Sequence, residues 1–244
     1  MNLTRPRWQV IGFVLLAGLV LLAGCWLLAI RPGSLNRTRR VLEWLRNPQA
    51  HPDWMIHAGE RCDQAPFILP TNGFIGYLWG DTFRIGHRHQ GIDIFGGTPV
   101  NETPVLAAYP GFLTRLPDWK STLIIRIPAD PLRPGRQIWT YYTHMADEQG
   151  RSFISPQFPP GTYEMYVEAG TLLGYQGDYS GDPNNPTGVH LHFSIVLDDG
   201  TGKFRNELKI QNTLDPSPYL GLDVNARQVK SGIQICLQPT QTGE

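Results

Sequence analysis

The feature that most constrains this chain is a run of 21 residues, Val10 to Ile30, without a charge, an amide or a hydroxyl. At ~1.5 Å per helical residue such a run is about as long as the ~30 Å hydrocarbon layer of a membrane is thick. Buried core helices rarely run so long without one polar residue, so residues 1–30 are predicted to form an N-terminal membrane helix. Arg5 and Arg7 precede the run and Arg31 closes it.

Within that segment Leu22-Ala23-Gly24-Cys25 resembles the lipobox of bacterial lipoprotein signal peptides, in which the cysteine is lipidated. Trp26 to Ile30 continue the apolar run where polar residues usually follow a lipobox, which favours an uncleaved anchor over a lipid at Cys25. Either way the chain stays on a membrane. Arg31, Arg37, Arg39, Arg40 and Arg46 outnumber Arg5 and Arg7, an asymmetry that would hold the rest of the chain in the cytoplasm. Long domains translocate largely regardless of charge, however, and the main body is expected on the extracytoplasmic side of the cell membrane. Cys62 and Cys236 either form a disulfide closing a long loop, which suits an oxidising compartment, or are two unrelated thiols.

The 21 Lys and Arg balance 21 Asp and Glu with no long basic run, which argues against nucleic acid as a partner. Gly 26 and Pro 21 make up about a fifth of the chain, against a usual ~12%. That excess predicts a mainly β fold of short strands and turns in an antiparallel sheet. Residues 31–65 read as a juxtamembrane spacer with a short helix from Ser34 to Asn47. Ser34 would cap this helix, Leu35, Leu42 and Leu45 would lie near one face, and Pro48 would end it. Its arginines are expected to face solvent or headgroups. Residues 66–224 form the main domain and 225–244 a C-terminal strand and tail. Three hairpins are predicted: Val105–Ala108 with Phe112–Leu116, Thr122–Ile127 with Gln137–Met145, and Thr171–Tyr175 with His190–Leu197. The loops from Pro128 to Gly135 and from Gln176 to Val189 are candidate walls for a groove on one sheet face.

Four of the seven histidines stand where chemistry would use them. In His190-Leu191-His192-Phe193-Ser194-Ile195, strand alternation puts both imidazoles on one face and Leu191, Phe193 and Ile195 on the other. His89-Gln90-Gly91-Ile92-Asp93 places an imidazole and a carboxylate four residues apart, and Gly91 argues that they converge through a turn or bent strand rather than a helix. Both donor types suit Zn²⁺. His87 is a rival, because it would share a strand face with His89. His144, in Tyr142-Thr143-His144-Met145, is expected to share a face with Tyr142 and Thr140, opposite Trp139, Tyr141 and Thr143. Taken singly, each segment is better explained by a core or surface histidine or by chance.

In order along the chain, the set His89-x-Gly91-x-Asp93, Gly97-Thr98-Pro99-Val100, Tyr142-x-His144 and Gly188-Val189-His190-Leu191-His192-Phe193 resembles the lysostaphin-type zinc metallopeptidases, a family that includes many peptidoglycan endopeptidases. The resemblance covers roughly residues 66 to 219. It implies a catalytic groove on one face of the sheet, with His89, Asp93 and His192 as zinc ligands and His144 and His190 as a catalytic pair beside a zinc-bound water. All five positions are filled. Departures are mild: Met145 stands where leucine is frequent and Val189 where proline is frequent. His87 matches no ligand position and is read as lying behind or at the rim of the site. The expected activity is endopeptidase hydrolysis, with peptide stems or cross-links of peptidoglycan, or another extended peptide, as substrate. Two other readings stay open: a peptidoglycan-binding or hydrolase-activating scaffold without catalysis, and a metallopeptidase acting on proteins.

Overall fold

The computed structural model describes residues 18, 32–82, 86–222 and 236. The predicted membrane helix (apart from Gly18), Cys25 and the C-terminal strand and tail (apart from Cys236) lie outside these residues. Among the described residues no helix is long and apolar enough to cross a membrane.

The chain enters through helix α1 (Pro32–Arg46) and continues into ten strands. These are β1 (Phe74–Tyr77), β2 (Ile92–Phe95), β3 (Pro104–Leu106), β4 (Gly111–Thr114), β5 (Leu123–Ile127), β6 (Ile138–Thr143), β7 (Met165–Val167), β8 (Leu172–Tyr175), β9 (Leu191–Leu197) and β10 (Thr213–Leu214). A short helix, α2 (Ser217–Leu220), follows. Eight strands form one antiparallel sheet in the order β1-β2-β9-β6-β5-β4-β7, with β10 also paired to β9. The fold is mainly β, as composition and turn density predict.

Strand β9 organises the sheet. Leu191, Phe193 and Ile195 are fully buried in the main core with Ile92, Ile94, Leu123, Ile125 and Tyr142. Alternation sends His192, Ser194 and Val196 to the opposite face. One face of the sheet is thus an apolar layer, and the other carries polar groups such as His192 and Ser194 beside two smaller apolar clusters.

Of the three predicted hairpins, only β5–β6 forms, with Leu123 opposite Tyr142 and Ile127 opposite Ile138. Strand β3 pairs with β8 in a separate two-stranded sheet instead of with β4. Correspondingly, β8 does not pair with β9. Turn residues mark where the chain reverses but not which sheet the next strand joins, and burial decides that: Val105 is fully buried opposite Gly174.

Helix α1 starts at Pro32, so Ser34 lies inside it rather than at its cap. Its buried face is also not the leucine one. Leu42 and Leu45 are exposed (49% and 42%), whereas Val41 and Trp44 are buried against Phe74 and Phe95 on the polar side of the sheet. The Trp44 indole N–H donates to the Phe95 carbonyl at 2.7 Å. Burying a side chain as large as Trp44 outweighs what either leucine would contribute, and that fixes the helix rotation. Arg37, expected in solvent, is buried and ion-paired with the fully buried Asp81.

Cys62 and Cys236 form a disulfide (S–S 2.10 Å) across 174 residues. The Pro128–Gly135 loop is not a wall of the site. It joins β5 to β6 at Ile138, opposite Leu197, whereas the functional face lies at the other end of β6, where Thr143 pairs with His192. The loop is tied down there by Asp130, which accepts from Arg136 and from the Tyr219 hydroxyl at 2.7 and 2.9 Å.

Candidate metal centre

Asp93 of β2 lies directly opposite His192 of β9, on the polar face of the sheet. The two strands approach closely because position 91 has no side chain. A Cβ on Gly91 would collide with the Phe193 carbonyl oxygen and stand 2.8 Å from Ser194 Cβ. His89, just before β2, swings over this pair from a turn whose main chain is fixed at both ends. Its N–H donates to the Asp81 carbonyl, and its carbonyl accepts from Gly80, each at 2.8 Å.

Three side chains thereby meet. His89 Nε2 stands 3.0 Å from Asp93 Oδ1 and 3.1 Å from His192 Nδ1, and His192 Nδ1 is 2.8 Å from Asp93 Oδ1. All three are buried, and their ligand atoms lie within 4.8 Å of one another.

The outer nitrogens of the two rings decide what these atoms are. His89 Nδ1 is 3.0 Å from the Leu78 carbonyl, an acceptor, so Nδ1 carries a proton. His192 Nε2 is 2.9 Å from a Glu207 carboxylate oxygen, so it too is the donor. In the neutral rings the remaining nitrogens bear lone pairs, and both point at a carboxylate oxygen. Three acceptors facing one another in a buried site require a cation, and two imidazoles with one carboxylate are the donor set of a zinc site with an open position. The residues fit the implied metal.

Without a metal, a proton takes its place. Burial opposes the charge on His192, but the Glu207 and Asp93 carboxylates overcome it and hold the ring up at about 10. Burial likewise opposes the charge on Asp93, yet the imidazoles of His89, His190 and His192 around it keep it well below the usual carboxylate range.

His144 and His190 complete the cluster. Their ring centroids are 4.5 Å apart, His144 is 6.2 Å from the His192 ring, and His190 Nε2 is 3.6 Å from Asp93 Oδ1. His144 reaches them against strand alternation. Tyr142 and Thr140 point into the core, and His144 would follow them. Instead β6 ends at Thr143 and His144 takes a left-handed backbone, φ 72°, which turns its ring onto the polar face. Gly177 crosses its backbone here; a Cβ would lie 2.6 Å from the His144 carbonyl oxygen.

Each of the two rings donates Nδ1–H to a carbonyl, His144 to Tyr179 at 2.7 Å and His190 to Gly188 at 2.9 Å, leaving Nε2 as the free acceptor. The Gln176–Val189 loop thus reaches the site, in keeping with its reading as a candidate wall. Burial, with His190 and His192 alongside, lowers His144 to about 3. Burial also lowers His190, although Asp93 pulls the other way. Both rings are neutral near pH 7.

Sequence reasoning brought all five residues to one site but missed their supports. Glu207 and Ser194, whose hydroxyl donates to Glu207 at 3.1 Å, fix the His192 ring. No local pattern marks Glu207, which sits in an irregular segment 15 residues after its partner. Beside the cluster, Thr122 and Thr143 share a hydrogen bond of 2.6 Å near Tyr141, whose hydroxyl burial pushes up to about 12. His87, half-buried, is not one of the three converging ligands.

No family model matches the chain. No curated protein matches it either. Among solved structures, the chain is similar to a mutant catalytic domain of the prophage-encoded M23 protein EnpA from Enterococcus faecalis, at 21% identity and TM-score 0.37, over 63% of this chain and 95% of that one. It is also similar to a protein assigned as the glycyl-glycine endopeptidase LytM of Ruminococcus gnavus, at 28% identity and TM-score 0.34, over 53% of this chain and 45% of that one. At these TM-scores the likeness carries no argument of its own; the site does.

Proposed function

We propose that this protein is a zinc-dependent metalloendopeptidase that hydrolyses peptide bonds in peptidoglycan stems or cross-links. The observation that carries this reading is the convergence of His89 Nε2, Asp93 Oδ1 and His192 Nδ1 with their lone pairs inward, beside two further neutral imidazoles. His89, Asp93 and His192 would hold the ion. When bound, zinc supplies Lewis acidity toward a peptide carbonyl and lowers the pKa of water.

The chain's own residues supply the proton chemistry. His144 and His190 each present Nε2, with Nδ1 locked by a carbonyl. One of them takes the proton of the attacking water at Nε2, and the ring so protonated then donates from Nε2 to the charge developing on the carbonyl oxygen. A neutral ring is needed for the first task, and both are kept neutral by burial. The Thr122 and Thr143 hydroxyls beside them would pair with the backbone of an extended peptide substrate.

The membrane segment predicted at residues 1–30 would tether the domain on the extracytoplasmic side, close to the wall polymer. The experiment is digestion of purified peptidoglycan by the full-length chain in detergent, with and without a chelator, followed by muropeptide analysis. New peptide ends that vanish with chelator and return with zinc support the reading. Wall binding without cleavage by zinc-loaded protein would assign a scaffold, and cleavage of proteins but not muropeptides would move the substrate class.

A further inference from the structure

Helix α1 is joined to the candidate metal centre by a continuous set of buried polar contacts. Arg37 Nε donates to Asp81 Oδ2 at 2.7 Å, and its terminal nitrogen binds Asp81 Oδ1. The Asp81 side chain is fully buried, and that of Arg37 is 8% exposed. The same carboxylate accepts the Leu78 N–H at 2.8 Å, closing a turn that the Asp81 N–H completes by donating to the Leu78 carbonyl at 3.1 Å. This turn carries two of the groups that hold His89: the Leu78 carbonyl on Nδ1 and the Asp81 carbonyl on the main-chain N–H.

We infer that Arg37, through Asp81, is a positioning residue for the metal ligand His89, so that the docked juxtamembrane helix is a structural part of the metal site. The inference rests on the metallopeptidase reading of that site. A surface helix held only by apolar burial would not need a two-point ion pair sealed from water, since such a pair adds little net stability over a well-fitted apolar pair. What the pair does add is direction. The guanidinium fork fixes the carboxylate in plane, and the carboxylate in turn holds the N–H of Leu78, the residue whose carbonyl selects the Nδ1–H form of His89. With the turn loosened, His89 Nε2 no longer has a set orientation or a set lone pair.

The test uses the full-length protein in detergent and measures zinc affinity by competition with a chromogenic chelator, alongside thermal unfolding of the metal-free protein. Arg37→Lys keeps the charge without the fork. Arg37→Met with Asp81→Leu replaces the pair by apolar groups, so that a folded protein lacks only the hold on the turn. The control is Arg136→Met with Asp130→Leu, an ion pair at the far end of the sheet with a buried carboxylate and a half-buried guanidinium. Zinc affinity is expected to fall by about 10–100-fold in both Arg37 variants, as for other groups that orient a metal ligand, and to stay unchanged in the control. An affinity equal to the wild-type value in the folded Arg37→Met/Asp81→Leu protein overturns the inference. So does an affinity that falls only in step with the unfolding midpoint across all variants. Failure of the wild-type chain itself to bind zinc sinks the metallopeptidase reading instead, which keeps the two failures apart.

Discussion

Acid should weaken the metal-free protein in a way that a single side chain controls. His144 titrates at about 3 in the fold, against 6.5 for an unperturbed histidine, because burial and the neighbouring His190 and His192 oppose its charge. In the unfolded chain the ring binds a proton as pH falls through ~6.5; in the fold it does not until ~3, so the unfolded state gains protons first. Stability contributed by the neutral ring is therefore complete above pH ~6.5 and is lost on the way down to ~3. At 1.36 kcal/mol per pKa unit the full loss is no more than about 5 kcal/mol, and over the first two pH units up to about 2.7 kcal/mol. These are upper figures, since His144 is half-buried. His144→Asn keeps a donor for the Tyr179 carbonyl and removes the titration. Urea unfolding of chelator-treated wild type and variant, from about pH 7.5 down to about 4.5, gives the two stability curves. The wild type should lose more stability than the variant, with the gap opening below about pH 6.5 and reaching about 1–2.7 kcal/mol by about 4.5. Parallel curves would refute the reasoning, because they would mean that the ring takes a proton as readily in the fold as outside it.

Removing a ligand, as in His89→Ala or Asp93→Asn, should abolish zinc binding and peptide release together, read by metal analysis of the purified protein and by muropeptide release. His144→Ala should stay zinc-loaded while its turnover falls about 10²–10⁴-fold, the usual size of a general acid–base contribution; wild-type turnover would remove it from the mechanism. Gly91→Ala forces a methyl group into the Phe193 carbonyl, so it should cost about 1–3 kcal/mol in urea unfolding and lower zinc occupancy by parting Asp93 from His192. Reducing the disulfide between Cys62 and Cys236 releases a loop of 174 residues, and the loss of stability on reductant titration should not exceed about 5 kcal/mol.

What the sequence made legible, and what it did not, divides by the distance over which each feature is determined. Strand alternation places His190 and His192 together and Leu191 and Phe193 in the core, because it needs only neighbouring residues. The same rule misdirects His144, which escapes its core-facing position through φ 72°. Nothing in Tyr142-Thr143-His144-Met145 announces that turn, which is packed against the bare backbone of Gly177, further along the chain. The leucines of α1 suggested the wrong face because Trp44 finds a socket at Phe74 and Phe95 and Arg37 finds a buried carboxylate 44 residues away. Glu207 was missed for the same reason. The distinction matters chemically. Local motifs name the donor residues, but which nitrogen of each ring bears the lone pair is set by the Leu78 carbonyl and the Glu207 carboxylate, contributed by other parts of the chain. A peptide carrying His89 to Asp93 or His190 to His192 alone would keep the ligands and lose that choice, so the metal affinity of this site is a property of the assembled fold and not of its motifs.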